Sequence, residues 1–340
     1  MKKSQHNKLK DNPSKKIKVA FVYRPCSALT SSNYFTVSYN FFMKALKHNA
    51  RIEVTNIPTD ASYDASSLKD KFDIILLFEN SNFGPGCMPD EISNLEDLDI
   101  PVIARVGDPW NTPQKNIMKI HKKNKIDAYF GFHHPDLFYK YYPKDFAYGV
   151  VLFGLEPVLY ENLQPYNSRI KNRILNSGAV ASRKISSRLV YKLTKKTVDP
   201  LIHYNLRTKC NDLSYVDYTS TLQHMYTGDK YPLLLQKYTT AIAAMTTSYT
   251  TKYWEIPAAG CLTFMEVTEK NHGEYLGFVD DETAIFINED NYKEKFERYL
   301  KDTDNPKWEK IANAGKEYAL NYLNNDVAVN SLIDLMEKLL

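Results

Sequence analysis

Thr239 to Met265 reads TTAIAAMTTSYTTKYWEIPAAGCLTFM. Two short apolar runs, TTAIAAM and CLTFM, flank a hydroxyl-rich loop and a helix-sized stretch over 252–259. Strands joined through a helix, with apolar side chains on both faces, belong to a parallel sheet covered on both sides. Pro257 removes one helical hydrogen bond, so this helix should be short or kinked and stop at Gly260. The same rhythm extends in both directions. Upstream, from Arg173, come strand RILNS, a helix over 183–196, a strand near Leu213 to Val216 and a helix over 231–237. Downstream lie strand TAIFI and helices near 291–301, 306–322 and 326–339.

A first series precedes it. Strand IKVAFVY starts at Ile17 and a helix follows over about 35–47. Then come strands RIEVTNI, FDIILLF (72–78), PVIARV (101–106), DAYFGF (127–132) and YGVVLF (148–153), with helices near 89–96, 114–123 and 135–142. Right-handed crossovers make each series a doubly wound, Rossmann-like βα unit. Between them LEPVLYENLQPYNSR, polar and with two prolines, reads as a linker hinged near 156–168. The expected organisation is a basic tail over 1–16, a first domain over 17–160 and a second over 161–325. A last helix over 326–340 packs back toward the first domain, with Val327, Leu332, Leu335 and Leu339 as its apolar stripe. The 340 residues suit two domains of roughly 150 each.

Apolar residues make up 43% and charged residues 25%, which argues against disorder and against a membrane protein. Apolar runs are strand-sized and the lysine-rich start lacks a signal-peptide core, so cytoplasmic residence is expected. Cys26, Cys87, Cys210 and Cys261 form no C-x-x-C pair and are expected to be reduced thiols. Residues 1–20 hold seven lysines and one aspartate, so the net charge of +4 resides in the tail and the rest of the chain is slightly acidic. Such an arm is solvated and could touch an anionic surface weakly.

Ligands of open parallel sheets bind beyond the carboxyl ends of the strands, and three loops there carry chemistry. In the first, Thr250, Thr251, Lys252 and Tyr253 surround a helix start that suits a diphosphate, and Glu255 can accept hydrogen bonds from a ribose diol. In the second, SGAVASRKISSR places Gly178, Arg183, Lys184 and Arg188 at a strand-to-helix turn. Between Arg169 and Lys209 there are eleven Lys/Arg and one acid, Asp199, an excess that favours an anionic ligand. Nucleic acid is the rival, but no stacking aromatics or recognition helix accompany these bases, so none is expected as a partner. The third region, VIARVGDPW with DAYFGFHHPDLF, offers Asp108, His133 and His134 for orienting or deprotonating an acceptor, with Asp108 and His134 the preferred pair. Glu79, at the end of FDIILLF, is a further candidate.

Other chemistries lose support. No G-x-G-x-x-G follows the first strand, and P-loop and G-x-S-x-G motifs are absent. The D-x-D at Asp97 and Asp99 stands before a strand, so no metal site is expected there.

KYWEIPAAGCLTFME, with the tail IANAGKEYALNYL, resembles the C-terminal half of family-4-type and spore-maturation-type GT-B glycosyltransferases. The likeness spans about 17–335 and centres on 250–264. It implies the GT-B architecture, two Rossmann-like domains facing across a cleft, and transfer of a sugar from a nucleoside-diphosphate sugar to a glycan, lipid or protein acceptor. It also implies retention of configuration; neutralisation of the donor phosphates by Arg and Lys makes a metal unnecessary, so no cofactor or essential metal is expected. Glu255 resembles the second glutamate of the family's Glu-x7-Glu motif, which holds the donor ribose, and Thr247 stands where the first would be. VIARVGDPW resembles the family's strand ending in a His-Asp pair, with Gly107 in place of the histidine. A sugar-nucleotide-binding protein without transfer activity and a polyanion-binding protein are the alternatives.

Overall fold

The computed structural model describes residues 16–30, 36–78, 87–111, 114–182, 186, 189, 200–219 and 226–340. Glu79, Arg183, Lys184 and Arg188 lie outside these, as does nearly all of the helix expected over 183–196.

Thirteen strands are described: β1 (Ile17–Tyr23), β2 (Ile52–Pro58), β3 (Ser62–Asp64), β4 (Ile74–Leu77), β5 (Glu91–Ser93), β6 (Val102–Arg105), β7 (Ile126–Gly131), β8 (Ala147–Val150), β9 (Ile174–Ser177), β10 (Val216–Thr219), β11 (Thr240–Ala243), β12 (Leu262–Glu266) and β13 (Ile285–Ile287). Six form one parallel sheet in the order β2-β1-β4-β6-β7-β8. Five form a second parallel sheet in the order β10-β9-β11-β12-β13, and β3 pairs with β5 alone. In both large sheets the order turns back on itself beside the first strand, as in doubly wound folds.

Alternate side chains fill opposite faces, as the two-residue period of a strand requires. On one face of the first sheet Val19, Phe21, Ile74 and Leu76 pack with Phe41 and Phe42. Ala20, Val22, Ile75 and Leu77 pack on the other with Leu68, Ile117 and Phe138. Phe41 and Phe42 belong to a helical segment built from Thr36–Ser38, Tyr39–Ala45 and Leu46–His48, whose middle part widens into π-helical turns. In the second sheet Leu175, Ala241, Ala243 and Met265 meet Tyr253 and Trp254, while Ile174, Ile242 and Phe264 meet Leu206, Phe296 and Trp308.

The last helix, Asn325–Glu337, lies in the core of the first sheet. Its buried apolar residues are Ala328, Val329, Leu332, Ile333 and Met336. Leu335 and Leu339 lean on the same cluster, whereas Val327 is 37% exposed, because the buried face is centred one position further along the helix. The linker is anchored too. Tyr160 and Tyr166 are buried in the clusters of the second sheet, and Asn325 accepts from the Gly154 amide at 2.8 Å and donates to Glu156 at 3.0 Å.

Other readings are corrected. The segment near 89–96 holds strand β5 instead of a helix, because pairing with β3 satisfies its backbone. Strand β10 runs Val216–Thr219 and so begins where the strand expected near Leu213 to Val216 would have ended, and helix Pro200–Cys210 fills a stretch where none was expected. Cys26 and Cys87 are joined as a disulfide, so only Cys210 and Cys261 are free thiols, both buried. The bridge ties the loop after β1 to the loop that follows 79–86. Among the described residues no helix is long and apolar enough to cross a membrane.

Candidate functional site

Two cations converge on Gly178, the first residue after β9. Its φ of +114° is a conformation that a side chain resists. A Cβ built there would fall 2.6 Å from Arg207 Nη1 and 2.9 Å from Lys252 Cε. Only a residue without a side chain lets both groups close in.

Lys252 opens the helix Lys252–Ala258, which is cut short as expected by Pro257 and followed by Gly260 at φ +70°. Arg207 comes from helix Pro200–Cys210, which is irregular at Tyr204. Its guanidinium is buried and bonded to the carbonyls of Ala244 and, at 3.1 Å, Ala179. Burial, reinforced by the Arg207 charge and opposed by Glu255, holds the Lys252 ammonium down to about 8. Lys252 Nζ also lies 5.0 Å from the centre of the Tyr231 ring, whose hydroxyl bonds Ser177 at 2.6 Å.

Glu255 stands on the same helix beside this pair. Burial raises its carboxyl above the ordinary value, with Lys252 and the Thr251 hydroxyl pulling it back. The helix-start amides are less available than the sequence suggests. Those of Tyr253, Trp254 and Glu255 already donate to the carbonyls of Thr250 and Thr251. Tyr253 points inward: it is fully buried, with its hydroxyl accepting from Met245 N–H at 3.1 Å and donating to the Glu266 carbonyl at 3.0 Å. Negative charge in this cradle would therefore be met by side-chain cations more than by the helix end.

The half built on the first sheet closes over the cradle. A Cβ on Gly154 (φ +116°) would lie 3.3 Å from both Thr251 Cγ2 and Val37 Cβ. Asn40 donates to Asp229 Oδ1 at 3.3 Å, next to the short Tyr231–Leu235 helix. Gly178, Thr250, Thr251, Lys252 and Glu255 thus gather on one side of a seam whose other side is Val37, Asn40 and Gly154.

Further along the seam two buried histidines meet. His133, following β7, bonds Ser248 Oγ through Nδ1 at 3.0 Å and turns Nε2 toward Asp108 Oδ1 at 3.9 Å. His203 bonds Thr247 Oγ1 at 2.6 Å, and Trp110 packs against it with the rings tilted and their centres 4.5 Å apart. Burial, then Arg105 and His203, drives His133 down to about 3, and burial with Lys140 drives His203 to about 4, so both are neutral imidazoles at pH 7. Thr247 is therefore committed to His203.

The structure brings Asp108 to His133 and places His134 elsewhere. His134 caps helix Pro135–Tyr139, accepting from Asp136 N–H at 3.3 Å, and stacks on His272 at 3.9 Å. A cavity of about 350 Å³ opens there between the halves, bounded by Asp136, Lys140, His203, Thr247, Lys270 and His272. Asp97 and Asp99 are exposed in a turn before β6.

Sequence reasoning missed three members. Arg207 was counted in the basic stretch without a role, because nothing marked its helix. His203 has no motif. Glu266, at the end of β12, carries a carboxyl raised to about 7 by burial, with Thr246 and Arg207 opposing, and only its burial distinguishes it.

No protein-family model matches the chain, and a comparison with curated proteins finds no match. Solved structures do match. An alpha-glucosyltransferase in complex with UDP-glucose and DNA containing an abasic site aligns with a TM-score of 0.58 and 10% identity, over 95% of this chain and 100% of that one. A glycosyltransferase from Rickettsia africae aligns at 0.55 with 11% identity, over 95% and 98%. HepE from Anabaena, solved with UDP and glucose, aligns at 0.52 with 11% identity, over 95% and 100%. At these identities the likeness is one of fold. The chain has the GT-B fold, with parallel sheets in two Rossmann-like halves.

Proposed function

We propose that this chain is a metal-independent glycosyltransferase that moves a sugar from a nucleoside-diphosphate sugar to an acceptor. The observation that carries the reading is the cradle at Gly178, where one buried and one half-buried cation face a glycine with one carboxylate beside them. Like charges gathered where water is scarce are costly, and a diphosphate lying against Gly178 would offset that cost.

In this reading Glu255 accepts hydrogen bonds from the nucleoside ribose. Lys252 and Arg207 face the diphosphate, and Arg183, Lys184 and Arg188, on the chain just beyond Gly178, add positive charge. As the glycosidic bond breaks, negative charge collects on the leaving diphosphate, and fixed cations in a water-poor cleft stabilise it there. No metal ion is needed for that charge. Asp108, with neutral His133 beside it, orients and deprotonates the acceptor hydroxyl from the other half. The solved GT-B structures holding UDP and UDP-glucose support a uridine donor. Retention of configuration follows from the family resemblance, and NMR of the first-formed product reads it. The acceptor is a glycan, lipid or protein.

Incubating the chain with labelled uridine, guanosine and adenosine diphosphate sugars tests the reading. Release of the nucleoside diphosphate from one of them, lost in Glu255→Ala, is expected. Binding without any release would reduce the chain to a binding protein. No stabilisation by any of the three, where a ligand at a hundred times its Kd adds about 2.7 kcal/mol, would overturn the donor site itself.

A further inference from the structure

Away from the cradle, at the rim of the cavity between the halves, three metal-ligating side chains meet. His134 and Asp136 follow β7 in the first half, and His272 lies between β12 and β13 in the second. One donor atom from each falls within 4.8 Å of the others. Asp136 Oδ2 is 3.5 Å from His272 Nε2 and 3.7 Å from His134 Nδ1.

We propose that His134, Asp136 and His272 form a zinc site that clasps the two halves of the molecule together. The spacing carries the inference. Two ligand atoms of a tetrahedral Zn²⁺, each about 2.0–2.1 Å from the ion, sit roughly 3.3–3.4 Å apart, close to the two separations from Asp136. Two imidazoles and one carboxylate are a donor set for zinc, whereas Mg²⁺ and Ca²⁺ take oxygen. The fourth position would hold water or a ligand reaching in from the cavity.

A carboxylate also stands near the other nitrogen of His272. The ring's Nε2 faces Asp136 and its Nδ1 lies 4.0 Å from Glu274 Oε1, so a shift of about 1 Å would let Glu274 accept from Nδ1–H and hold Nε2 toward the metal. The two rings now stack nearly parallel, 15° apart, and ligation requires them to splay until both lone pairs meet one point, with His134 Nδ1 releasing the Asp136 N–H that it now accepts. Both are only partly exposed, at 21% and 25%, and each belongs to a different half, so an ion held by both resists opening of the seam. The site is independent of the donor chemistry proposed above.

Titration of ZnCl2 into the chelator-treated full-length chain, without nucleotide, tests it. One equivalent is expected to bind and to raise the melting temperature, with MgCl2 doing neither. His134→Ala and His272→Ala should each weaken binding at least about tenfold, Glu274→Gln by about tenfold, and the surface control His48→Ala not at all. The metal-free melting temperature of each variant shows that it folds. No saturable binding below about 100 µM, or binding that survives both histidine variants, would overturn the proposal. Donor binding measured on the same samples separates this outcome from a failure of the glycosyltransferase reading.

Discussion

At Gly178 a single missing side chain allows Arg207 and Lys252 to share one spot, and two predictions belong to that residue. Gly178→Ala forces a Cβ into a guanidinium fixed to two carbonyls and into a backbone conformation that alanine resists. The expected cost is about 1–3 kcal/mol of stability together with weakened donor binding, read by urea unfolding and calorimetry. Lys252 supplies the second. With its ammonium held down to about 8, it is charged at pH 7 and loses its proton as pH rises through that value, so donor affinity should fall between pH 7 and 9. In Lys252→Arg, whose guanidinium stays charged, affinity should remain flat over that range. An equal decline in both proteins would show that another group titrates. Glu255, Lys252 and Gly178 were singled out because they stand in loops beyond strand ends and in a stretch that resembles a known family, and the structure brings them to one place. Arg207 was not, because its role comes from an irregular helix that returns it beneath the loop.

Among the elements, the final helix has the clearest consequence. Leu332 is fully buried on the first sheet, although it belongs to the end of the chain that follows the second. Leu332→Ala should cost about 2–5 kcal/mol, and a chain ending at 324 should lose the cooperative unfolding of the first half as well, read by thermal melts. A loss below 0.5 kcal/mol, roughly the range of a surface substitution, would mean that the helix does not contribute there. The apolar periodicity of this helix was visible in the sequence, but Val327 was placed on the wrong side, since a stripe of two residues per turn fixes the buried face only to within one position. Continuous runs such as IKVAFVY announced the buried parallel strands for the same physical reason that they are buried, both faces being covered. The strand at Glu91–Ser93 could not be found that way, because it is three residues long and defined by its partner alone. Pairing of Cys26 with Cys87 also escaped, since the two cysteines are separated in sequence by 61 and only the fold brings them together.

For the whole molecule, the seam between the halves holds two buried histidines that stay neutral at pH 7. His133 titrates at about 3 when folded and about 6.5 when free, so below pH 6.5 the unfolded chain binds the extra proton and stability falls as pH falls toward 3. This one residue removes up to about 1.4 kcal/mol per pH unit over that window. Glu266 works in the opposite direction. Its carboxyl is raised to about 7, so its burial destabilises the fold increasingly as pH climbs from 4.5 through 7. The comparison that isolates the seam is therefore His133→Asn against the parent at pH 7 and pH 5, and the variant should lose less stability on acidification. The donor cradle lies along the same seam, and the account depends on it. Its most direct test is calorimetric titration of uridine diphosphate into the parent chain and into Glu255→Ala at pH 7. Removing a charged hydrogen bond of about 1.5–3 kcal/mol predicts a ten- to hundredfold weaker Kd in the variant, roughly, with the fold unchanged. Equal affinities in the two proteins would contradict the assignment of this cleft to a nucleoside.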